Sequence, residues 1–244
     1  FENYLNPNTS IDGAITGVTI FTHDVTRQKQ ADAIMQARLR LTEFSLSHSL
    51  DELFQATLDE AEALTGSTIG FYHLLEADEK TLVLQAWSTN TLENMCKAEG
   101  KGQHYDVDQA GVWVDAIHEK KPVIHNDYVA LPHRKGMPDG HATVEREMVV
   151  PVIRNDKIVA ILGIGNKPTS YDKNDVQAIS LLADLAWEVV ERKRSEEALQ
   201  VSESRLRASL ENSAQVSAQW YDQNGRVVFW NPASEKIYGW SSAE

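Results

Sequence analysis

The sequence predicts an α+β fold in which an antiparallel sheet is flanked by helices, with long helices leading into it and out of it. Three observations predict this. Two pairs of strand-like runs, 68–75 with 81–87 and 148–153 with 158–165, are each joined by a short polar turn, the pattern of a β-hairpin. Apolar residues recur at helical spacing ahead of the first pair. Behind the second pair, a helical pattern runs for some forty residues without a proline or a glycine.

Taken in order, the chain starts with a turn at Asp12-Gly13 that feeds a β-branched strand, Ala14 to His23. From Asp24 the pattern turns helical. Ile34, Ala37, Leu41 and Phe44 are spaced three, four and three apart, which lays one apolar stripe along a helix. Ser49 and Glu52 form a capping box, in which each side chain satisfies a backbone N–H of the other, so a second helix is expected over 50–64 with Gly66 as its stop. The hairpin 68–75/81–87 follows, turning through Glu76-Ala77-Asp78-Glu79-Lys80. A mixed region comes next, with a helix over 112–118 and a short strand over 122–125. The second hairpin turns at Arg154-Asn155-Asp156-Lys157. Asp172 is a good N-cap for the long helix, which is expected to reach about Asn212. Along it Leu182, Leu185, Val189, Arg192, Glu196, Leu199, Glu203, Leu206 and Leu210 alternate steps of three and four, a heptad seam with charged interruptions. Two readings stand: a parallel dimer helix that carries a signal, or a first half that packs on its own sheet followed by a solvated linker. The chain closes with a strand, an Asn224-Gly225 turn and a second strand that stops at Pro232.

Composition narrows the function. Over 244 residues, 36 acidic against 23 basic side chains leave a formal charge of −13, which repels phosphate backbones and anionic membrane surfaces alike. Neither a nucleic acid nor a membrane is expected as a partner. The longest apolar run, 158–164, is far below the ~18 residues of a membrane span. A single cysteine, Cys96, excludes a disulfide framework or a Cys-rich zinc module and fits a reducing, cytoplasmic setting. Gly163-Ile164-Gly165-Asn166-Lys167-Pro168 lacks the third glycine and the Lys-Ser/Thr ending of a phosphate loop. The chain opens at Phe1 and closes just after a new strand pair, so it is read as a piece of a longer polypeptide.

Asp222-Gln223-Asn224-Gly225-Arg226-Val227-Val228-Phe229-Trp230-Asn231-Pro232-Ala233, followed by Tyr238-Gly239-Trp240, resembles the opening of a PAS domain. Asp12-Gly13 through Gly17-Val18 to His23-Asp24-Val25-Thr26-Arg27 is similar to the closing strand of another, with its outgoing helix. Between them Gly111-Val112-Trp113, Lys121-Pro122-Val123-Ile124-His125-Asn126-Asp127, Glu147-Met148-Val149-Val150-Pro151-Val152 and Ile158-Val159-Ala160-Ile161-Leu162-Gly163 resemble a GAF domain. The resemblance implies a PAS end over 1–23, a linker helix over 24–37, a GAF domain over 38–190, a signalling coiled-coil helix over 191–212 and a PAS start over 213–244. That order resembles the input half of a prokaryotic two-component sensor histidine kinase. It implies a non-catalytic fragment that works as a homodimer and relays a small-molecule signal to a kinase domain in the parent chain. The competing reading is a structural dimerisation module whose pocket is empty.

Asn166-Lys167 with Tyr171 and Asp175 also resembles the Asn-Lys-Phe-Asp-Glu motif of cyclic-nucleotide-responsive GAF domains, with Tyr171 and Val176 as departures. A Lys167–Asp175 ion pair acting as a structural latch is the favoured reading of it. Aromatic and polar residues gather between the two hairpins, in the part of a GAF domain that caps its pocket. Trp87, Ser88, Thr91, Cys96, Tyr105, Trp113, His125, Asn126, Asp127, Tyr128 and His141 are the expected lining, since aromatic walls with a few convergent polar groups suit a buried organic ligand. The breaker-rich run from Pro132 to His141 is expected to form a loop or lid over it. Lys97 follows Cys96 where bilin-binding phytochromes place a histidine, which argues against a photoreceptor. A lone cysteine among histidines is similar to haem-binding GAF domains of archaeal and bacterial sensor kinases. That resemblance makes haem a candidate cofactor, with His141 and then His125 as iron ligands, and the cofactor is otherwise unknown.

Overall fold

The computed structural model describes residues 1–76, 78–95, 104–107, 111–134, 142–213 and 215–241, with the backbone alone described at 84, 85, 95 and 104–106. The chain divides into two compact units, Phe1–Val190 and Glu191–Glu244.

The first unit opens with a hairpin of β1 (Glu2–Thr9) and β2 (Ile15–His23). Gly13 makes its turn at a φ of 84°, a left-handed conformation that glycine adopts freely, and the Ser10 N–H donates to the Ala14 carbonyl across it at 2.8 Å. The sequence reading has only the second of these strands. Helix α1 (Thr26–Ser45) follows and buries Ile34, Ala37 and Leu41, the expected stripe. Helix α2 (Leu50–Thr65) begins at the expected capping box: the Ser49 N–H donates to Glu52 Oε2 at 2.8 Å and the Glu52 N–H to Ser49 Oγ at 3.3 Å. It ends at Gly66, left-handed at φ 74°, whose N–H closes on the Glu62 carbonyl.

Six antiparallel strands then form the sheet: β3 (Ile69–Leu75), β4 (Thr81–Trp87), β5 (His104–Asp106), β6 (Val123–His125), β7 (Glu147–Arg154) and β8 (Lys157–Gly165), in the spatial order β5-β4-β3-β8-β7-β6. Among the described residues the two edge strands, β5 and β6, span three residues each. Because side chains alternate along a strand, each strand feeds two different layers. Tyr72, Met148, Val150, Val152, Ala160, Leu162 and Ile164 point to the helices, where they meet Leu53, Phe54 and Leu58 of α2 and Ile179, Leu182, Ala186 and Val190 of α4 (Lys173–Glu211). Leu82, Val149, Ile158 and Ile161 point the other way, against Val114, Ala116 and Ile117. That second layer is a cap, built from a 3₁₀ turn at Val112–Val114 and the short helix α3 (Asp115–Glu119).

Within α4, Leu182 and Val189 are buried in the first unit's own core and Leu185 is half-buried, so the front of the heptad seam packs at home. From Glu191 onward the helix exposes most of its side chains, Leu199 and Leu206 among them, while Leu210 is half-buried. The second unit adds a hairpin of β9 (Gln219–Tyr221) and β10 (Val227–Trp230), and α5 (Pro232–Tyr238). Buried Asn231 caps α5 through Oδ1, which accepts from the Ser234 and Ala218 N–H groups, while its amide donates to the carbonyls of Leu210 and Val216. Among the described residues no helix is long and apolar enough to cross a membrane.

Candidate functional site

The cap face of the sheet carries the chemistry. Phe71 and His73 alternate with Tyr72 on β3, and Trp87 stands directly across from Phe71 on β4, so all three project toward the cap. Trp113 comes down from the 3₁₀ turn to meet them. It stacks on His73 with ring centres 4.5 Å apart and planes 13° from parallel, and meets Phe71 edge-on at 5.6 Å. Phe71 meets Trp87 edge-on at 6.3 Å. The four rings form one wall. Gly163 on β8 makes room for it, since a methyl group added there would land inside the Phe71 ring. His73 is fully buried, and burial pushes its pKa down to about 3, so the imidazole is neutral.

The β6–β7 side of the same face carries a charged cluster. His125 and Glu147 face each other across the β6–β7 ladder, and His125 Nδ1 meets Glu147 Oε1 at 2.9 Å. The other ring nitrogen, Nε2, meets Asp115 Oδ2 of α3 at 3.3 Å, and His133 Nε2 reaches the same oxygen at 2.8 Å. The Glu147 bond, chiefly, and the charge of both carboxylates hold the His125 pKa above its ordinary 6.5, against the opposing effect of burial. Tyr128, buried near Ile69 and Val112, is pushed up to about 12 by burial and by the Glu147 charge.

The expected lining residues divide among several places. Trp87 and Trp113 join the wall, and His125 stands in the charged cluster. Ser88 and Thr91 are buried on the helix side instead, because the alternation that sends Trp87 to the cap sends Ser88 to α2. There Ser88 Oγ donates to Glu62 Oε1 and shares a 2.7 Å hydrogen bond with Thr91 Oγ1, which accepts the Gly70 N–H at 2.9 Å. Burial pushes Glu62 up to about 7, with the Asp59 charge adding to it and the Ser88 bond opposing it. Asn126 is tied to the Tyr171 backbone by both ends of its amide, at 2.7 and 3.0 Å, and Asp127 accepts the Ala130 N–H in a turn. Only the backbone of Tyr105 is described, on β5 opposite Leu82. Cys96 and His141 lie outside the described residues, as does most of the expected lid.

Sequence reasoning missed Phe71, His73, Asp115, Glu147 and Gly163 as parts of this face. The period-two pattern around Tyr72 would have found the first two. The Lys167–Asp175 pair is present, at 2.6 and 2.7 Å, and joins the end of β8 to the start of α4. Tyr171 between them shares a 2.7 Å hydrogen bond with Ser67. For haem the fit at His125 is poor: both ring nitrogens already face carboxylates, so neither is open to iron. Among the described residues no group of three or more His, Cys, Asp or Glu side chains is arranged to hold a metal ion.

The family model for the GAF domain matches residues 47–191. The chain is 35% identical over 209 residues to a methyl sulfide methyltransferase-associated sensor of Methanosarcina acetivorans, which covers 82% of this chain and 21% of that protein. The chain thus spans about a fifth of the length of that relative. Among solved structures, it resembles a free methionine-R-sulfoxide reductase of Neisseria meningitidis with its substrate at a TM-score of 0.54, with 15% identity over 72% of this chain and 96% of the other. The GAF domain of an Acinetobacter phosphoenolpyruvate-protein phosphotransferase matches equally well, at a TM-score of 0.54 and 16% identity over 67% of this chain and 93% of that one. At such identities the likeness concerns the fold alone. The family pattern covers more than half of the chain, and the protein belongs to the GAF domain family.

Proposed function

We propose that this chain is a sensory module whose GAF domain takes a small organic ligand on the cap face of its sheet and passes occupancy along α4. The observation that carries the reading is the wall of Phe71, His73, Trp87 and Trp113, set over Gly163, with the His125–Glu147–Asp115 cluster farther along the same face. Aromatic surface with a few oriented polar groups is the usual make-up of a small-molecule site. The Methanosarcina relative is named a sensor, which supports the same reading. The output is a kinase domain elsewhere in a longer cytoplasmic two-component protein. The two end hairpins are partial PAS domains: Tyr4, Leu5, Ile20 and Phe21 in one and Trp220, Tyr221 and Val228 in the other are exposed, and a two-stranded sheet with bare apolar faces calls for more strands. The module pairs as a parallel homodimer through the exposed half of α4.

The module itself is non-catalytic. The second reading, a structural dimerisation module, rests on Phe71, whose ring fills the space over Gly163 and occupies part of the face itself. Mass spectrometry of the natively purified chain separates the two. A stoichiometric bound molecule that is lost in Trp113→Ala supports sensing. A chain that carries nothing and takes up nothing from a library of small organic ligands supports the structural reading.

A further inference from the structure

We propose that His125 is a proton-operated latch that holds the cap segment Val112–Glu119 down on the sheet. A 3₁₀ turn of three residues and a helix of five are too short to be stable alone, so their geometry is imposed by tertiary contacts. Val114, Ala116 and Ile117 supply the apolar ones. The tie that joins the segment to the sheet's charged groups is the bridge from Asp115 on α3 through the His125 ring on β6 to Glu147 on β7, and the exposed His133 meets the same Asp115 oxygen from outside.

Such a bridge needs the proton. Imidazolium has two N–H donors, one for each carboxylate, and its charge offsets two negative ones. Neutral imidazole has a single donor, so one nitrogen lone pair must then face a carboxylate. The two carboxylates are not equally placed: the Glu147 side chain is 5% exposed and Asp115 is 21% exposed. Water reaches Asp115 more readily, so the remaining proton stays on Nδ1 toward Glu147 and the Asp115 arm is the one that lets go. Trp113, two residues before Asp115, moves with it, which opens the aromatic wall.

The other groups facing the ring do not replace the missing charge. His133 approaches Asp115 from the loop that follows β6, and it is exposed. Tyr128 stays neutral because it ionises only near 12, and Arg134 lies on the Tyr128 side. The His125 pKa is raised in the folded protein, so the bridge is complete below the ordinary 6.5 and is lost as pH rises through the higher folded value. The cap is therefore shut on the acid side and loosened on the alkaline side. The latch stands on this geometry whether or not the face beneath it carries a ligand.

Hydrogen exchange on the full chain, corrected for intrinsic rates and followed from about pH 6 to about pH 9, tests it beside an NMR titration of the His125 ring. The expected result is a loss of about tenfold in protection over 112–119 as His125 titrates, the factor of one charge-assisted hydrogen bond, while 148–153 stays protected. His125→Gln keeps one donor without a charge and is expected to show the alkaline behaviour at every pH. Asp115→Asn leaves the buried His125–Glu147 pair intact, so it keeps the fold, and is expected to abolish the pH dependence. His133→Ala is expected to retain it. Protection over 112–119 that does not change while His125 titrates, or a His125 that titrates below 6.5, would overturn the proposal.

Discussion

The two faces of the six-stranded sheet are built from alternate residues of the same strands, yet they differ in kind. The helix face is closed and almost wholly apolar: Tyr72, Met148, Val150, Val152, Leu162 and Ile164 meet Phe54, Leu58, Ile179 and Leu182. The cap face sets Phe71, His73, Trp87 and Trp113 in one aromatic wall and adds His125 and Glu147, whose polar groups are costly to bury unless paired. The helix face serves chiefly to exclude water. The other keeps rings and titratable groups where a plain core would have aliphatic residues, and a sequence that departs from the simple rule marks its functional surface.

If the division is real, damage to each face has a separate signature, and the largest effect belongs to the helix face. Leu58 is fully buried between α2 and the sheet. Leu58→Ala is expected to cost about 3 kcal/mol, read as a shifted denaturant midpoint at unchanged slope, and to leave ligand uptake by the folded chain unaltered. A large loss of uptake at temperatures where the variant is fully folded would show that the faces are coupled.

Gly163→Ala makes the complementary change on the cap face. The added methyl collides with Phe71, whose ring cannot shift without displacing Trp87 and Trp113. Overpacking of this kind costs about 1–3 kcal/mol, and a value near 2 is expected. Uptake is expected to fall by far more than the stability loss explains, and uptake that stays intact would separate the wall from the ligand site.

How much of this was legible in the sequence follows the range of the interactions that decide it. The capping box at Ser49 and Glu52, the stop at Gly66, both sheet hairpins and the length of α4 are set by residues close together in the chain, and each was readable. The first strand was hidden because Glu2–Thr9 contains Pro7 and three asparagines, which read as turn residues until β2 supplies a partner. Ser88 and Thr91 stand near Trp87 in sequence, yet Ser88 continues the alternation of β4 to the helix side, and Thr91, beyond the strand, joins it there through hydrogen bonds with Ser88 and the Gly70 N–H. Glu147 and Asp115 could not be tied to His125, since β7 and α3 meet it only once the sheet is assembled.

Glu62 is the exception on the helix face, a buried carboxyl beside Ser88 and Asp59, and it sharpens the comparison. Its pKa rises from 4.5 to about 7 on folding, so the folded state holds the proton more tightly. Stability from this group is fully present below pH 4.5 and declines as pH rises through about 7. The loss is on the order of 2 kcal/mol after local relaxation. Urea titrations of wild type and Glu62→Gln across that window are expected to differ in slope against pH, with the variant nearly flat. Parallel curves would mean that Glu62 titrates alike in the folded and unfolded chain.

The smallest effect on stability is expected where the chain leaves the sheet. Leu182 and Val189 are committed to the helix-face core, whereas Leu199 and Leu206, the next apolar positions of the same seam, are exposed. A leucine with no neighbour to cover it contributes little to the monomer, so Leu199→Lys together with Leu206→Lys is expected to change the unfolding free energy by under about 0.5 kcal/mol. The proposed dimer has the opposite sensitivity, because charges placed in a heptad seam lose both the burial and the water they would keep outside it. Sedimentation equilibrium is expected to show the doubly substituted chain as a monomer at concentrations where the parent chain is paired. A dimer that survives both substitutions would remove this half of α4 from the interface and place pairing on the exposed face of α1, where Met35 and Leu39 lie one helical turn apart.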